Sequence, residues 1–164
     1  TISVLSAALV ACVATSTAQS SASADASIDT KIVAGITLSK SQDLQFGSVV
    51  RSANGGTVTI SPNTEQVSYS GVTRGQNFTY NAASFASTGE PEYQYSIGLP
   101  KSVTLTRKGG SQTMSVNSFT YSTGAGQLDN QGGASFKVGA TLNVDGNQTT
   151  GAYAGTFTVM VEYQ

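Results

Sequence analysis

Residues 155–163 read Gly-Thr-Phe-Thr-Val-Met-Val-Glu-Tyr and carry the sharpest alternation in the chain. One face holds aromatic and β-branched side chains: Phe157, Val159, Val161 and Tyr163. The other face holds mostly polar ones: Thr156, Thr158, Met160 and Glu162. A period of two residues is typical of a β-strand with one buried face. We therefore predict a strand here whose apolar face packs against a sheet core.

Similar short runs recur along the chain from Ile28 onward, separated by Gly, Asn, Ser and Pro. No stretch keeps a helical period of 3.6 residues, so the pattern predicts an all-β sandwich. We expect the other strands near Ile28–Leu38, Leu44–Val50, Thr57–Ser61, Gln66–Tyr69, Asn77–Phe85, Tyr93–Ile97, Val103–Thr106, Thr113–Tyr121 and Phe136–Val144.

Glycine-containing segments mark the expected turns. Asn54-Gly55-Gly56 and Asp145-Gly146-Asn147 have the composition of hairpin turns, and Gly109-Gly110 marks a third turn. The polar stretch 124–133 lacks apolar periodicity, which predicts a surface loop.

Composition excludes several function classes. The 164 residues include eight Lys and Arg, nine Asp and Glu, no His and one Cys. Without His, neither a His-based catalytic triad nor a Cys-His nucleophile can form, and a single Cys cannot make a disulfide within the chain. Without clustered positive charge, nucleic acid is not an expected partner. We predict no catalytic residue, no metal site and no cofactor.

The N-terminal residues resemble an export signal. Residues 2–14 form an uncharged run of the length of a signal-peptide core, and small residues at Ser16 and Ala18 predict cleavage after Ala18. An alternative is lipidation, because Leu9-Val10-Ala11-Cys12 fits a lipoprotein box.

One pair of acidic residues keeps an enzymatic interpretation open. Glu90 and Glu92 flank Pro91, and paired carboxylates are the one catalytic chemistry that the composition allows, as in a glycosidase. Two solvated acids at the end of a loop are the favoured interpretation, because the carboxylates of a glycosidase normally come from separate strands that face each other across a cleft. The Asp145 turn lacks the ligand pattern of a calcium loop.

Five segments together resemble a known group of proteins: Ile36–Lys40, Asp43–Gly47, Gly56–Pro62, Phe136–Val144 and Gly151–Tyr163. They resemble a family of bacterial exported domains that look like the subunits of archaic chaperone-usher pili. The closing Gly-x-Tyr-x-Gly-Thr-Phe-Thr-Val motif carries most of this resemblance. The chain differs from many such pilins because it has no Cys after residue 18 to form their disulfide.

The resemblance implies an immunoglobulin-like sandwich that lacks one strand and is completed by a donor strand from a neighbouring subunit. It also implies a periplasmic chaperone and an outer-membrane usher as partners. The C-terminal strand would border the groove and bind the chaperone, which reads an aromatic residue such as Tyr163. This assigns the groove edge and chaperone-binding strand to Phe157, Val159, Val161 and Tyr163.

On this resemblance, residues 19–33 become the donor strand. Alternate positions in this segment carry Ala or Ile, namely Ala22, Ala24, Ala26, Ile28 and Ile32. Between Ser21 and Ile32 the other face is polar, and Thr30 is the one polar residue on the apolar face. A flexible tail is the alternative interpretation of this Ser- and Ala-rich segment.

We therefore expect three regions: part of a signal peptide at 1–18, a donor-strand extension at 19–33 and a pilin-like domain at 34–164. The expected function is non-enzymatic. The protein would be a structural subunit of an extracellular bacterial filament, exported through the periplasm, that supports adhesion or biofilm formation. Its partners would be identical or related subunits and a host or surface receptor. The alternative is a stand-alone secreted or lipid-anchored sandwich that binds glycan or another surface component.

Overall fold

The computed structural model describes residues 20–76 and 79–164. These residues form β-strands and no helix, so the predicted all-β class is confirmed. The strands are β1 (Thr37–Gln42), β2 (Val49–Val50), β3 (Gly56–Ile60), β4 (Val67–Ser70), β5 (Thr73–Arg74), β6 (Ala83–Thr88), β7 (Tyr95–Gly98), β8 (Ser102–Arg107), β9 (Thr113–Tyr121), β10 (Gly133–Val144), β11 (Tyr153–Ala154) and β12 (Met160–Tyr163).

The strands pair in antiparallel fashion and curl into a sandwich. The largest sheet has the order β1-β6-β10-β9-β8-β11, and the β3–β4 pair joins it through β10. Two smaller pairs, β7 with β12 and β2 with β5, complete the described ladders. The chain divides into two units between Ile32 and Val33, and every strand of the described residues lies in the second unit.

Strand β10 is the longest strand and contacts three others. Along one edge it pairs with β6 over Gly133–Val138 and with β3 over Thr141–Val144. Along the other edge it pairs with β9. Both edges of β10 are therefore paired with other strands, and its alternate side chains point into the interior.

The interior contains two apolar clusters. The first consists of Val58, Val72, Val116, Ala140, Leu142 and Val144. The second consists of Ala83, Phe85, Tyr95, Leu128, Phe136 and Val138. Because β10 supplies residues to both clusters, it holds the two halves of the core in one structure.

The predicted strand pattern is largely observed, with shifts at three places. β9 coincides with the prediction, and β3, β4, β7, β8 and β10 lie within three residues of theirs. The strand predicted at Ile28–Leu38 is wrong over most of its length, because no strand precedes Thr37 among the described residues. The strand predicted at Asn77–Phe85 is observed at Ala83–Thr88, and its first two residues lie outside the described part. Of the strand predicted at Leu44–Val50, only Val49–Val50 is observed.

The turn predictions need two corrections. Residues 53–54 and 146–147 do form turns, but neither joins two strands that pair with each other. The third predicted turn, at Gly109-Gly110, joins the consecutive and paired strands β8 and β9. The predicted surface loop 124–133 also supplies the core residue Leu128, which is 2% exposed.

The predicted signal peptide and Cys12 lie outside the described residues. Within the described residues, no helix is long and apolar enough to cross a membrane.

Gly139 of β10 lies where the end of β3 approaches β10 closely. A Cβ atom at this position would stand 2.1 Å from the carbonyl oxygen of Ile60 and 2.8 Å from Cδ of Pro62. This is the glycine of the Phe136–Val144 segment, and its lack of a side chain permits the contact between β10 and the end of β3.

Replacing Gly139 with Ala should therefore lower the free energy of unfolding by about 1–3 kcal/mol, because the added methyl group overlaps backbone atoms. Urea denaturation of the full chain measures this. Gly35→Ala is the control, since a Cβ at Gly35 meets no atom within 4 Å, and it should change stability by less than about 0.5 kcal/mol. Equal losses for both variants would contradict the close approach.

Phe136 is the main aromatic residue that β10 adds to the second cluster. It is 2% exposed and stacks on Phe85 with ring centroids 5.5 Å apart. Truncating it should leave a cavity that the packed sheet cannot close.

We expect Phe136→Ala to lower the free energy of unfolding by about 3–5 kcal/mol. Tyr121→Ala is the matched control on the neighbouring strand β9, because Tyr121 is 44% exposed. This control substitution should lower the free energy of unfolding by less than about 1 kcal/mol. The denaturant midpoints of the two variants check this, and a Phe136 variant as stable as the Tyr121 variant would disprove it.

Candidate functional site

The segment 155–163, which we call the edge segment, has the alternating exposure that its sequence predicts. Phe157, Val159, Val161 and Tyr163 are partly buried and pack against the second cluster. Thr156, Thr158, Met160 and Glu162 are exposed. The shared face of the four predicted residues is thus observed, and their role as a groove edge stays a prediction.

The backbone of the edge segment is only partly paired. Met160–Tyr163 pairs with β7, whereas residues 155–159 join no ladder in the described part of the chain. The predicted strand 155–163 is therefore observed only over its second half. Its first half covers the core with side chains but leaves its peptide groups without a strand partner.

The hydrogen-bonding direction within β12 shows which amides face away from β7. The amide of Gln164 donates to the carbonyl of Gln94, 3.1 Å away. In an antiparallel ladder, alternate residues direct their N–H groups to the same edge. The amides of Met160 and Glu162 consequently face β7, and the amide of Val161 faces the open edge.

Aromatic contacts fix the edge segment to the core. The centroid of the Phe157 ring lies 5.1 Å from that of Phe119 and 6.3 Å from that of Phe85, and the contact with Phe85 is edge-on. The Tyr163 ring lies edge-on to Tyr93 at 5.5 Å. The segment is therefore held in place although half of its backbone is unpaired.

Strand β1 forms a second open edge beside the same cluster. Among the described strands it pairs with β6 alone, and Ile36 and Leu38 pack against the second cluster as partly buried residues. β1 and β12 contact each other but share no ladder. Two unpaired strand edges thus border one apolar cluster, which is the arrangement that an added strand could complete.

The extension, residues 19–33, is described from Ser20. Residues 20–32 are all exposed and contain no strand. Ile28 and Ile32 are 95% and 92% exposed, so the largest apolar side chains of this segment lie almost fully in solvent. Ala22, Ala24 and Ala26 are exposed as well. The division of the chain after Ile32 falls one residue before the predicted end of the extension.

The carboxylates considered for catalysis lie in the turn between β6 and β7. Glu90 accepts a hydrogen bond from the amide of Ala34 at 3.1 Å, and Glu92 is exposed with a φ of 64°. Among the described residues, no group of three His, Cys, Asp or Glu side chains could hold a metal ion.

A turn at Asp129 supports these residues. The Asp129 carboxylate accepts amide hydrogen bonds from Gly133 and Gln131, which lower its pKa below the usual range. The carbonyl of Asp129 in turn accepts from the amide of Glu92 at 3.0 Å, and the carbonyl of Gly132 accepts from Gly89 at 2.8 Å. The two turns are therefore bound to each other.

The outer face of β6 and β10 carries a shallow depression of about 410 Å³. Its lining is mainly small and polar, including Ser84, Ser135 and Thr123. Phe85 and Phe136 line it too, but both are almost fully buried. No ring among its lining residues is exposed for stacking on a sugar.

Residues 36–163 match the family described as Domain of unknown function (DUF4402). The chain belongs to this DUF4402 family. The matched region begins just before β1 and ends at Tyr163, so it contains both open edges and the whole edge segment. The extension precedes the matched DUF4402 region. Searches of curated proteins and of solved structures found no match.

Sequence reasoning missed Ala34, which lies close to Glu90 and Tyr163. The residues are separated by 56 and 129 positions along the chain. No local pattern links them, since a small residue, an acid in a turn and an aromatic on a strand each have a simple local explanation.

Proposed function

We propose that this protein is the structural subunit of a bacterial surface filament in which the extension of one subunit completes the open edge of the next. The single observation that carries this proposal is the edge segment. It covers an apolar core with Phe157 and Val159 while the backbone of residues 155–159 has no ladder partner in the described chain. Proteins normally pair, shorten or shield such edges.

The extension supports the proposal as the partner of that edge. Alternate side chains of the extension are apolar, and those of Ile28 and Ile32 are almost fully exposed to solvent in the subunit. Fully extended, residues 19–33 span about 50 Å, whereas the edge segment spans about 30 Å. The extension is therefore long enough to cover the edge and still connect to its own domain.

The spacing of the apolar side chains also fits. Ile28 and Ile32 are four residues apart, as are Phe157 and Val161. Both pairs therefore lie about 13 Å apart along an extended strand. Each buried Ile would contribute about 1.5–3 kcal/mol, and the added ladder would satisfy the open peptide groups.

Such a contact is head to tail, because each subunit carries a donor and an acceptor that differ. A head-to-tail contact that does not close into a ring generates a filament. Export through the periplasm, with a chaperone that covers the edge and an usher that replaces it, belongs to this proposal and follows from the resemblance to chaperone-usher pilins. A surface receptor remains a further expected partner.

The rival function is a stand-alone surface protein that binds glycan. The depression on β6 and β10 gives it less support, because its aromatic residues are buried and its one Lys, Lys137, is paired with Glu65. Electron micrographs of sheared surface material distinguish the two, since only the filament subunit forms fibres.

The proposal predicts a change in hydrogen exchange along the edge segment. The Val161 amide, which faces the open edge, should exchange rapidly in the free subunit. It should slow by at least about a hundredfold in filaments, because a neighbour's strand then accepts its hydrogen bond. Val159 and Phe157 should follow if the alternation continues. Mass spectrometry of exchanged filaments and subunits measures this.

The same strand supplies the control. The amides of Met160 and Glu162 face β7 in both states, so their exchange should change little. Slow exchange of Val161 in the free subunit would show that the edge is already covered within one chain. That result would contradict completion by a neighbour.

A second prediction concerns the extension. Ile28→Asp should leave a subunit that folds and is exported but does not enter filaments, because a carboxylate cannot occupy an apolar groove without a large desolvation penalty. Filament yield by electron microscopy and subunit level by immunoblot provide the two measurements.

Ser27→Asp is the matched control. It adds the same charge one residue away, on the opposite face of the predicted donor strand. We expect near-normal filaments from this variant. Filament loss in both variants would point to a general charge effect, and normal filaments from Ile28→Asp would refute the donor-strand assignment.

A further inference from the structure

The Tyr163 hydroxyl contacts the first residues of the sandwich. It donates a hydrogen bond to the carbonyl oxygen of Ala34 at 2.9 Å and accepts one from the amide of Glu90 at 2.7 Å. The Glu90 carboxylate in turn accepts from the amide of Ala34 at 3.1 Å. Both peptide groups of Ala34 are therefore held, and we call this closed set of three hydrogen bonds the Ala34 clamp.

The surroundings leave the Tyr163 hydroxyl little freedom. Its ring packs edge-on against Tyr93, and a Cβ atom at Gly89 would lie 2.2 Å from the hydroxyl oxygen. The amide of Gly89 is bound to the turn that contains Gly132. The hydroxyl is thus fixed by an aromatic contact on one side and by a hydrogen-bonded turn on the other.

Tyr163 also belongs to the edge segment. Its side chain continues the row of Phe157, Val159 and Val161 against the second cluster. One residue therefore connects the open edge of the domain with Ala34, the residue that follows the extension.

We infer that Tyr163 is a positioning residue that fixes the point at which the extension leaves the domain. This inference rests on the proposed function, because only a filament subunit needs its donor strand to start at a fixed place beside its own acceptor edge. The donor of each subunit then begins at a fixed residue beside the acceptor edge of that subunit. The clamp therefore fixes the starting point of each donor strand.

The test compares Tyr163→Phe with the wild-type full chain. This change keeps the ring and its contact with Tyr93 but removes both hydrogen bonds of the hydroxyl. Exchange of the Glu90 amide should become about tenfold faster, since its acceptor is lost. NMR order parameters of residues 33–36 should fall, while those of β9 stay unchanged.

Tyr153→Phe is the matched control. The Tyr153 hydroxyl also makes two hydrogen bonds, donating to the carbonyl of Thr149 and accepting from Gln148, both at 2.7 Å. Removal of the Tyr153 hydroxyl should leave the order parameters of residues 33–36 as in the wild type. An unchanged Glu90 amide in Tyr163→Phe, or a loss of order across the whole domain, would overturn the positioning role.

Glu90→Ala serves as a second variant if Tyr163→Phe does not accumulate. It removes the partner of the Ala34 amide and leaves the Tyr163 ring in place. The Ala34 amide should then exchange about tenfold faster. Unchanged exchange would contradict the clamp.

Filaments separate this inference from the proposed function. Glu90→Ala subunits should still polymerise, because Tyr163, the rest of the apolar row and Ile28 are intact, but the filaments should have a shorter persistence length in electron micrographs. Filaments as straight as the wild type would overturn the inference alone. Absence of filaments from the wild-type chain would refute the proposed function, while the monomer measurements would still report on the clamp.

Discussion

The inward row of β10 is the constraint on which the rest of the structure depends. Phe136 and Val138 belong to one cluster, and Ala140, Leu142 and Val144 belong to the other. A shift of one residue would turn this whole row to the surface, so the register of β10 fixes the registers of β3, β6 and β9. The close approach of β3 to Gly139 fixes the register of β10 further, because only a residue without a side chain fits next to the end of β3.

Because β10 is paired along both edges, the unpaired backbone lies at the periphery. β1 and the edge segment are the two open edges beside the second cluster, and each carries a single charged residue, Lys40 and Glu162 respectively. The inner face of the edge segment is aromatic and β-branched. An edge with this composition either aggregates or has a specific partner, which is the physical reason for proposing strand addition.

The sequence could predict what depends on local alternation. β9 and the faces of the edge segment follow from a period of two residues, and the structure has both. Alternation does not provide a pairing partner, so the segment around Ile28 has a strand-like pattern and forms no strand. Leu128 is a core residue within a glycine-rich loop that has no apolar periodicity. Ala34 and Tyr163 are in contact although they lie 129 residues apart in the sequence. Both depend on long-range contacts that one sequence does not reveal.

Stability and assembly are linked in the proposed subunit. The chain has a single Cys and cannot form an internal disulfide, and three of the strands in its described part contain only two residues. Strand addition would supply further hydrogen bonds and apolar burial beside the second cluster, where residues 155–159 join no ladder in the described chain. The edge segment that gains this support also holds Ala34 through Tyr163. Completing the acceptor edge would therefore steady the residue from which the donor starts, so each added subunit would favour the ordered presentation of its own extension.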